Sequence, residues 1–331
     1  MKKFVAIVFC VLIAITSSAS MRLHIGKKYS TITFGRPVST NWTQVASQLD
    51  SVTYIYSLAV LNGNIYGGTR GATTPALYKW DGSTAWTSVA TNAIESENQI
   101  RALSVYNNKL YGGTSPNSGY LLEWNGTNIW SKVTTTSSDL YVLSFTILSN
   151  KFYAGTFNSG YLFYWDGVNW AQRAPKYGTA TGIYSLTTLN GKIYGGTGII
   201  GNLYEWNGSN AWTSVASQLG TAVTIYALAV LNGKIYGGTD IGELYEWNGV
   251  NAWTSVAPKL GSATSINSLI VFNNELYGGT GGIGALYKWN GVNAWTVSAP
   301  KLGSETVIYS LTSWNGYIYG GTYPSGLLYQ W

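Results

Sequence analysis

The hydrophobic pattern of this chain alternates between short apolar runs and Asn-Gly or Asp-Gly pairs, as the segment from Ile225 to Ala257 illustrates. Its first apolar run ends at Asn232-Gly233, a strong hairpin turn because both turn positions need a positive φ. Another Asn-Gly pair separates the last two runs. The segment therefore predicts four antiparallel strands, at Ile225 to Leu231, Lys234 to Thr239, Glu243 to Trp247 and Ala252 to Ala257.

This unit recurs along most of the chain. Each copy contains Tyr-Gly-Gly-Thr or a close variant, followed by Leu-Tyr-x-Trp or a variant and then by a second tryptophan. The threonines of the first element lie 41 to 45 residues apart, at Thr69, Thr114, Thr156, Thr197, Thr239, Thr280 and Thr322. Four-stranded repeats at this spacing are typical of propeller blades. The sequence therefore predicts an all-β fold, a seven-bladed β-propeller with four antiparallel strands per blade.

The two ends of the repeat region complement each other. The last unit stops at Trp331, the end of its third predicted strand, whereas residues 41–46 match the fourth strand of another unit, Ala211 to Ala216. We predict that this N-terminal strand completes the last blade and closes the ring, because closure removes exposed strand edges. A solenoid with a free end is the alternative architecture.

Three features of each unit resemble the kelch repeat. Gly237-Gly238 closes a second strand, Tyr245 with Trp247 lies on the third, and Trp253 opens the fourth. The resemblance spans residues 38–331, with Ala154-Gly155 replacing one glycine pair. These units are shorter than most kelch blades and a threonine follows the glycine pair, so another short-blade bacterial propeller lineage is an equal alternative. The resemblance implies the propeller fold.

The N-terminus has the pattern of a secretory signal peptide. Lys2 and Lys3 precede an apolar run from Phe4 to Ile15, and small residues follow, with cleavage expected after Ala19 or Ser20. We predict a signal peptide over residues 1–20, a linker over 21–37 and the propeller over 38–331. An uncleaved membrane anchor is the alternative. The predicted location is secreted, periplasmic or cell-surface, with no membrane span in the mature chain.

Composition narrows the range of partners. The chain carries 19 Lys and Arg against 13 Asp and Glu, a formal net charge of +6, which is too small to indicate nucleic acid or an anionic membrane. The single cysteine, Cys10, lies within the apolar N-terminal run, so no disulfide is expected in the mature chain. We expect a monomer whose partner is a glycan or an extracellular protein.

The side chains needed for catalysis are scarce. The one histidine, His24, lies outside the repeats, and the mature chain has no cysteine, so we expect neither a metal site nor a nucleophilic triad. Three glutamates share one motif position with lysines of other repeats, which favours a solvated strand face; they are Glu123, Glu205 and Glu246. We therefore predict no enzyme activity and no cofactor.

A sialidase-like or glycosidase-like enzyme is the alternative from another functional class. Sialidases hold the substrate carboxylate with clustered arginines, because the guanidinium fork binds carboxylates in a bidentate manner. The repeats contain Arg70, Arg101 and Arg173, predicted on a loop, an inner strand and an outer strand. We do not expect these three arginines to converge.

The predicted binding site lies on the face that carries the varied loops. One inner-strand position, near the mouth of the central channel, holds the candidate ligand-binding residues Tyr56, Arg101, Tyr141, Tyr184, Tyr226, Asn267 and Tyr309. Such a ring could stack on sugars or anchor a peptide, and packing between blades is the structural alternative. The predicted function is a secreted, non-catalytic recognition or scaffold module. Repeated glycan pockets and one composite protein-binding site both remain open.

Overall fold

The computed structural model describes residues 20–25, 28–33, 41–47, 52–70, 76–90, 97–117, 119–135, 141–175, 178, 180–218, 220–259, 261–301 and 303–331. Within the N-terminal unit, Ser20–Ile25 (β1) and Lys28–Thr33 (β2) form an antiparallel hairpin, in the range where the sequence predicts a linker. Residues 1–19 of the predicted signal peptide lie outside the described residues. In the described part of the chain we find no helix whose length and hydrophobicity would let it span a bilayer.

Residues from Thr40 to Trp331 form seven four-stranded antiparallel sheets, the blades. The first strands of neighbouring blades lie side by side around the central axis, and β28 lies beside β4, so the ring is continuous. These first strands are Ile55–Leu61 (β4), Gln99–Tyr106 (β8), Val142–Leu148 (β12), Ile183–Leu189 (β16), Ile225–Leu231 (β20), Ser265–Phe272 (β24) and Val307–Trp314 (β28). The predicted seven-bladed propeller is confirmed.

The second strand of each blade carries the Tyr-Gly-Gly-Thr element. These strands are Asn64–Thr69 (β5), Lys109–Ser115 (β9), Lys151–Thr156 (β13), Lys192–Thr197 (β17), Lys234–Thr239 (β21), Glu275–Gly281 (β25) and Tyr317–Tyr323 (β29). The third strands are Leu77–Trp80 (β6), Tyr120–Trp124 (β10), Leu162–Trp165 (β14), Leu203–Trp206 (β18), Leu244–Trp247 (β22), Leu286–Trp289 (β26) and Leu328–Gln330 (β30). The tight turns after the first and third strands lie at one end of the blades, here called the turn face. The loops after the second and fourth strands lie at the other end, the loop face.

The outer strands include one from the beginning of the chain. Six follow their third strands directly: Thr87–Ala90 (β7), Trp130–Thr135 (β11), Trp170–Ala174 (β15), Trp212–Ala216 (β19), Trp253–Ala257 (β23) and Trp295–Ala299 (β27). The seventh is Thr43–Ala46 (β3), which pairs antiparallel with β30 in the register Thr43↔Gln330 and Ala46↔Leu328. The predicted closure of the ring by the N-terminal strand is therefore confirmed.

The two glycines of the repeat element make room for different neighbours. A Cβ on Gly237 would lie 3.1 Å from the Cη2 atom of Trp253, the buried tryptophan that opens the outer strand of the same blade. A Cβ on Gly238 would lie 2.6 Å from the Cγ2 atom of Ile266, which belongs to the next blade. The first glycine therefore permits packing within a blade, and the second permits packing between blades.

The third blade shows what happens when the first glycine is replaced. Ala154 stands in place of that glycine, and its methyl group is buried. The corresponding tryptophan, Trp170, is half-buried, whereas its equivalents Trp212 and Trp253 are buried. The greater exposure of Trp170 agrees with the role of the first glycine, because the Ala154 methyl group adds bulk at the position where the glycines of other blades approach the tryptophan ring.

Serine hydroxyls link successive blades near the axis. Ser310 Oγ donates to the carbonyl oxygen of Ile55 at 3.4 Å, across the junction between the last blade and the first. Four further serines donate to the equivalent carbonyl of the next blade: Ser57, Ser144, Ser185 and Ser268. The junction that closes the ring thus has the same polar contact as junctions within the repeat array.

Candidate functional site

A bulge at the loop-face end of each first strand positions the candidate residues. In the first blade Ile55 pairs with Thr69 and Ser57 with Gly68, so Tyr56 is the extra residue of the ladder. A bulge redirects the side chain of its extra residue and is often found beside binding sites. The bulge residues of the seven blades, here called the bulge ring, are Tyr56, Arg101, Leu143, Tyr184, Tyr226, Asn267 and Tyr309.

The bulge ring contains six of the seven residues selected from the sequence. The third blade differs, because Val142 pairs with Thr156 and the extra residue is Leu143. Tyr141 lies one residue before β12, at the position that Tyr54 occupies in the first blade. The assignment of Tyr141 to the ring was therefore displaced by two residues. The sequence comparison selected Tyr141 because it is aromatic, whereas the strand pairing places Leu143 at the bulge.

Tyrosines of the last and first blades form one aromatic cluster at the mouth of the channel. The ring of Tyr54 stacks on Tyr323 with centroids 4.3 Å apart and on Tyr56 at 5.0 Å. Tyr309 meets Tyr56 edge-on at 5.1 Å. Burial, followed by interactions with Tyr323, raises the pKa of Tyr54 to about 12. These four tyrosines form the first aromatic cluster, and their hydroxyl groups can donate hydrogen bonds.

Blades three to five contribute a second aromatic cluster. Phe157 stacks on Tyr141 with centroids 5.5 Å apart and meets Tyr184 edge-on at 5.5 Å. Tyr184 in turn meets Tyr226 at 5.7 Å. Tyr226 is 36% exposed, so much of its ring remains open to solvent although it touches the neighbouring blade. Tyr184 and Tyr226 therefore pack against each other across neighbouring blades while Tyr226 also remains accessible from the channel mouth.

Arg101 of the second blade lies between the two aromatic clusters. Its guanidinium carbon is 4.2 Å from the ring centroid of Tyr56, within the range of a cation–π contact. Burial raises the pKa of Tyr184, Tyr226 and Tyr309, and the positive charge of Arg101 acts on all three in the opposite direction. The charge of one guanidinium group therefore influences phenols of the fourth, fifth and seventh blades.

The arginines are closer together than the sequence indicates. The guanidinium of Arg70 lies 5.5 Å from the ring centroid of Tyr54, the tyrosine that stacks on the partner of Arg101. Arg173 lies apart, on β15, with its guanidinium 4.9 Å from the ring of Tyr164. Two of the three arginines thus belong to the channel mouth, and the third belongs to an outer strand.

The carboxylate of Asp240 also lies at this face, close to Tyr226. Asp240 follows β21, and its Oδ1 atom accepts hydrogen bonds from the backbone N–H groups of Val223 and Thr224, both at 3.1 Å. After burial, the negative charge of Asp240 is the largest cause of the raised pKa of Tyr226. The fifth blade therefore adds negative charge to the same opening to which the second blade adds positive charge.

Two buried glutamates anchor loops at this face and were not selected from the sequence. Glu97 is 0% exposed and accepts a hydrogen bond from the backbone N–H of Asn117, whereas Glu305 is 1% exposed and accepts from Ser325. Both stand three residues before the buried isoleucine of a first strand. Four other blades have Val52, Ala180, Ala222 or Ala263 there, whereas the third blade has Asp139, so acids at an otherwise apolar position were the available signal.

Replacing Glu305 with alanine is expected to loosen the loop that carries Tyr323. Alanine occupies this position in three other blades, but the substitution removes the acceptor of the Ser325 N–H, and loss of a buried hydrogen-bond partner costs about 1–3 kcal/mol. Hydrogen exchange at the Ser325 amide should therefore accelerate by about tenfold or more. Glu305→Gln, which keeps a side-chain oxygen, should retain most of the protection. Unchanged exchange in Glu305→Ala would contradict this role.

The three glutamates assigned to a strand face form local ion pairs. Glu205 Oε1 accepts from Lys192 Nζ at 2.7 Å, and its Oε2 accepts from the Tyr194 hydroxyl at 2.9 Å. Glu123 and Glu246 make the same pair of contacts in their own blades. Within the described ranges, no group of three or more His, Cys, Asp or Glu side chains could hold a metal ion.

A groove of about 560 Å³ lies on the turn face between the fourth and fifth blades. Its charged lining consists of Lys192, Glu205, Lys234 and Glu246, which are paired with each other within their own blades. Tyr194 and Trp247 also line it, yet both side chains are buried. The groove therefore presents paired charges and little aromatic surface, in contrast to the channel mouth.

No protein-family model matches the chain, and no curated protein is significantly similar to it. Solved structures match its fold. A catalytically inactive virginiamycin B lyase from Staphylococcus aureus with quinupristin has a TM-score of 0.73 at 10% identity, covering 88% of this chain and 98% of that one. YCF48 bound to D1 peptide has a TM-score of 0.63 at 16% identity, covering 88% and 96%.

A third match is the extracellular domain of a protein from B. thetaiotaomicron described as a hybrid two-component system, with a TM-score of 0.71 at 15% identity. The match covers 87% of this chain but 39% of that one. The matched structures include a lyase and a peptide-bound protein, so this fold serves both catalysis and recognition. At these identities the likeness shows the fold alone: the chain is a seven-bladed β-propeller.

Proposed function

We propose that this protein is a non-catalytic recognition module that binds a peptide segment of a partner protein at the loop-face mouth of its channel. The observation that carries the proposal is the pair of aromatic clusters with Arg101 between them. Exposed aromatic rings with a few directed polar groups are typical of ligand sites. Tyrosine supplies a large contact area and a hydrogen-bonding hydroxyl at little cost in conformational entropy.

The unequal composition of the bulge ring favours one composite site over repeated glycan pockets. The second blade contributes a cation, the third an aliphatic side chain and the sixth an amide, whereas the remaining blades contribute tyrosines. Repeated pockets would need the same side chains in successive blades. The match to a propeller bound to a peptide adds support from the fold.

Export of the protein is part of the same proposal. The N-terminal pattern of lysines, an apolar run and small residues is typical of a secretory signal peptide. The match to an extracellular propeller domain agrees with this location. A partner outside the cytoplasm is therefore the expected ligand. Sequencing the N-terminus of the exported protein would test the predicted cleavage after Ala19 or Ser20.

Replacing Tyr184 and Tyr226 together with alanine is expected to lower peptide affinity at least tenfold. Binders would first be selected from a random dodecapeptide library, and their affinities measured by calorimetry. The rings are half-buried or exposed, so the melting temperature should fall by only a few degrees. Val168→Ala with Val250→Ala, on exposed turns of the opposite face, is the matched control and should leave affinity unchanged.

The same experiment can refute the proposed function. A large fall in melting temperature with unchanged affinity would assign the two tyrosines to packing alone. A library that yields no binder, together with binding on a glycan array, would replace the peptide with a carbohydrate ligand.

A further inference from the structure

Arg101 differs from the lysines of this propeller in its electrostatic partners. Four lysines form ion pairs with glutamates at 2.5–2.7 Å: Lys109, Lys192, Lys234 and Lys288. In the described ranges no Asp or Glu carboxylate lies within ion-pair distance of Arg101. One face of its guanidinium lies over Tyr56, and the side chain is half-buried. Among the described residues, Arg101 is thus a partly desolvated guanidinium whose charge has no carboxylate partner.

The shape of the Arg101 guanidinium favours an anion with two oxygens in one plane. The guanidinium presents a planar set of donors that matches a carboxylate in a bidentate manner. Tyr184, Tyr226 and Tyr309 occupy the same bulge position in their blades as Arg101, and their hydroxyls add hydrogen-bond donors to the channel mouth.

We infer that Arg101 binds a carboxylate of the peptide ligand, supplied either by the C-terminus of the peptide or by an Asp or Glu side chain. This inference rests on the proposed function and adds the chemical class of the group that the site recognises. The aromatic clusters on both sides then contact the residues next to the carboxylate. The ligand is therefore an acidic or C-terminal segment bound at the channel mouth.

The test is a double-mutant cycle between the ligand carboxylate and Arg101. Binders are selected from two dodecapeptide libraries, one with free and one with amidated C-termini. Each binder is then compared with versions in which the terminal carboxylate is amidated or each Asp and Glu is replaced by Asn and Gln. In the wild-type protein, loss of the essential carboxylate should weaken binding about tenfold or more. Added salt should also weaken binding of the unmodified peptide, because salt screens the charge interaction.

In Arg101→Gln the acidic and neutral peptides should bind with nearly equal, weak affinity. Arg173→Gln removes the same charge from an outer strand and should leave the wild-type difference intact. If amidation weakens binding, the recognised carboxylate is the peptide C-terminus. If replacement of an Asp or Glu weakens binding, it is that side chain.

Selected peptides whose affinity is unaffected by removing carboxylates would overturn the inference and leave the proposed function standing. Equal losses in wild type and Arg101→Gln would also overturn it, because the carboxylate would then be recognised elsewhere. If neither library yields a binder, the proposed function and this inference both fail.

Discussion

Deleting residues 38–46 is expected to abolish cooperative unfolding of the propeller and to cause aggregation. The deletion removes β3 together with Trp42 and Ala46, which are buried in the last blade. Loss of a buried tryptophan alone costs about 3–5 kcal/mol, a large share of the 5–15 kcal/mol typical of folded domains. It also exposes the edge of β30, which can then pair with strands of other molecules.

Two variants separate loss of the closing strand from loss of the N-terminus in general. A chain that begins at Val38 keeps β3 and should unfold in one transition, as the parent does. Trp42→Ala keeps the strand but removes its buried side chain, so it should lower stability without exposing the whole edge of β30. Calorimetry and light scattering would measure both effects. A protein lacking residues 38–46 that is as soluble and stable as the parent would contradict the closure argument.

Replacing Gly238 with alanine is expected to destabilise the junction between the fifth and sixth blades. The new Cβ would lie 2.6 Å from Ile266 Cγ2 and 3.2 Å from the Ile266 carbonyl oxygen, and a backbone atom cannot move aside cheaply. Overpacking of this kind costs about 1–3 kcal/mol, and the tight contact with the backbone places the expected loss at the upper end. Chemical denaturation would measure the change in unfolding free energy.

Gly237→Ala is the matched comparison, because it adds the same methyl group one residue earlier. Its Cβ would contact the outer end of the Trp253 ring, and the end of a side chain can move aside more easily than the backbone can. We therefore expect a smaller loss of stability and a red shift of tryptophan fluorescence. A larger loss for Gly237→Ala than for Gly238→Ala would show that the two glycines do not have the roles assigned to them.

Much of the channel mouth was visible in the sequence, but the placement of individual side chains was not. Six bulge residues could be located by counting from the repeated sequence elements, since every blade repeats the same first strand. Tyr141 was misplaced because its identity matched the ring while its register did not. Glu97 and Glu305 were counted as acids, and their burial became visible only where loops of the same blade fold over them.

By itself the sequence determined the number of blades, the strand order and the closure of the ring. These properties follow from three signals in the sequence: the turn pairs, the apolar runs and the complementary strands at the two ends. Each signal concerns strands within one repeat or strands that match the same repeat pattern. The tertiary structure decided which side chains share the channel mouth. Arg101 and the tyrosines it influences come from blades far apart in the chain, and only the circular packing of seven first strands brings them to one opening.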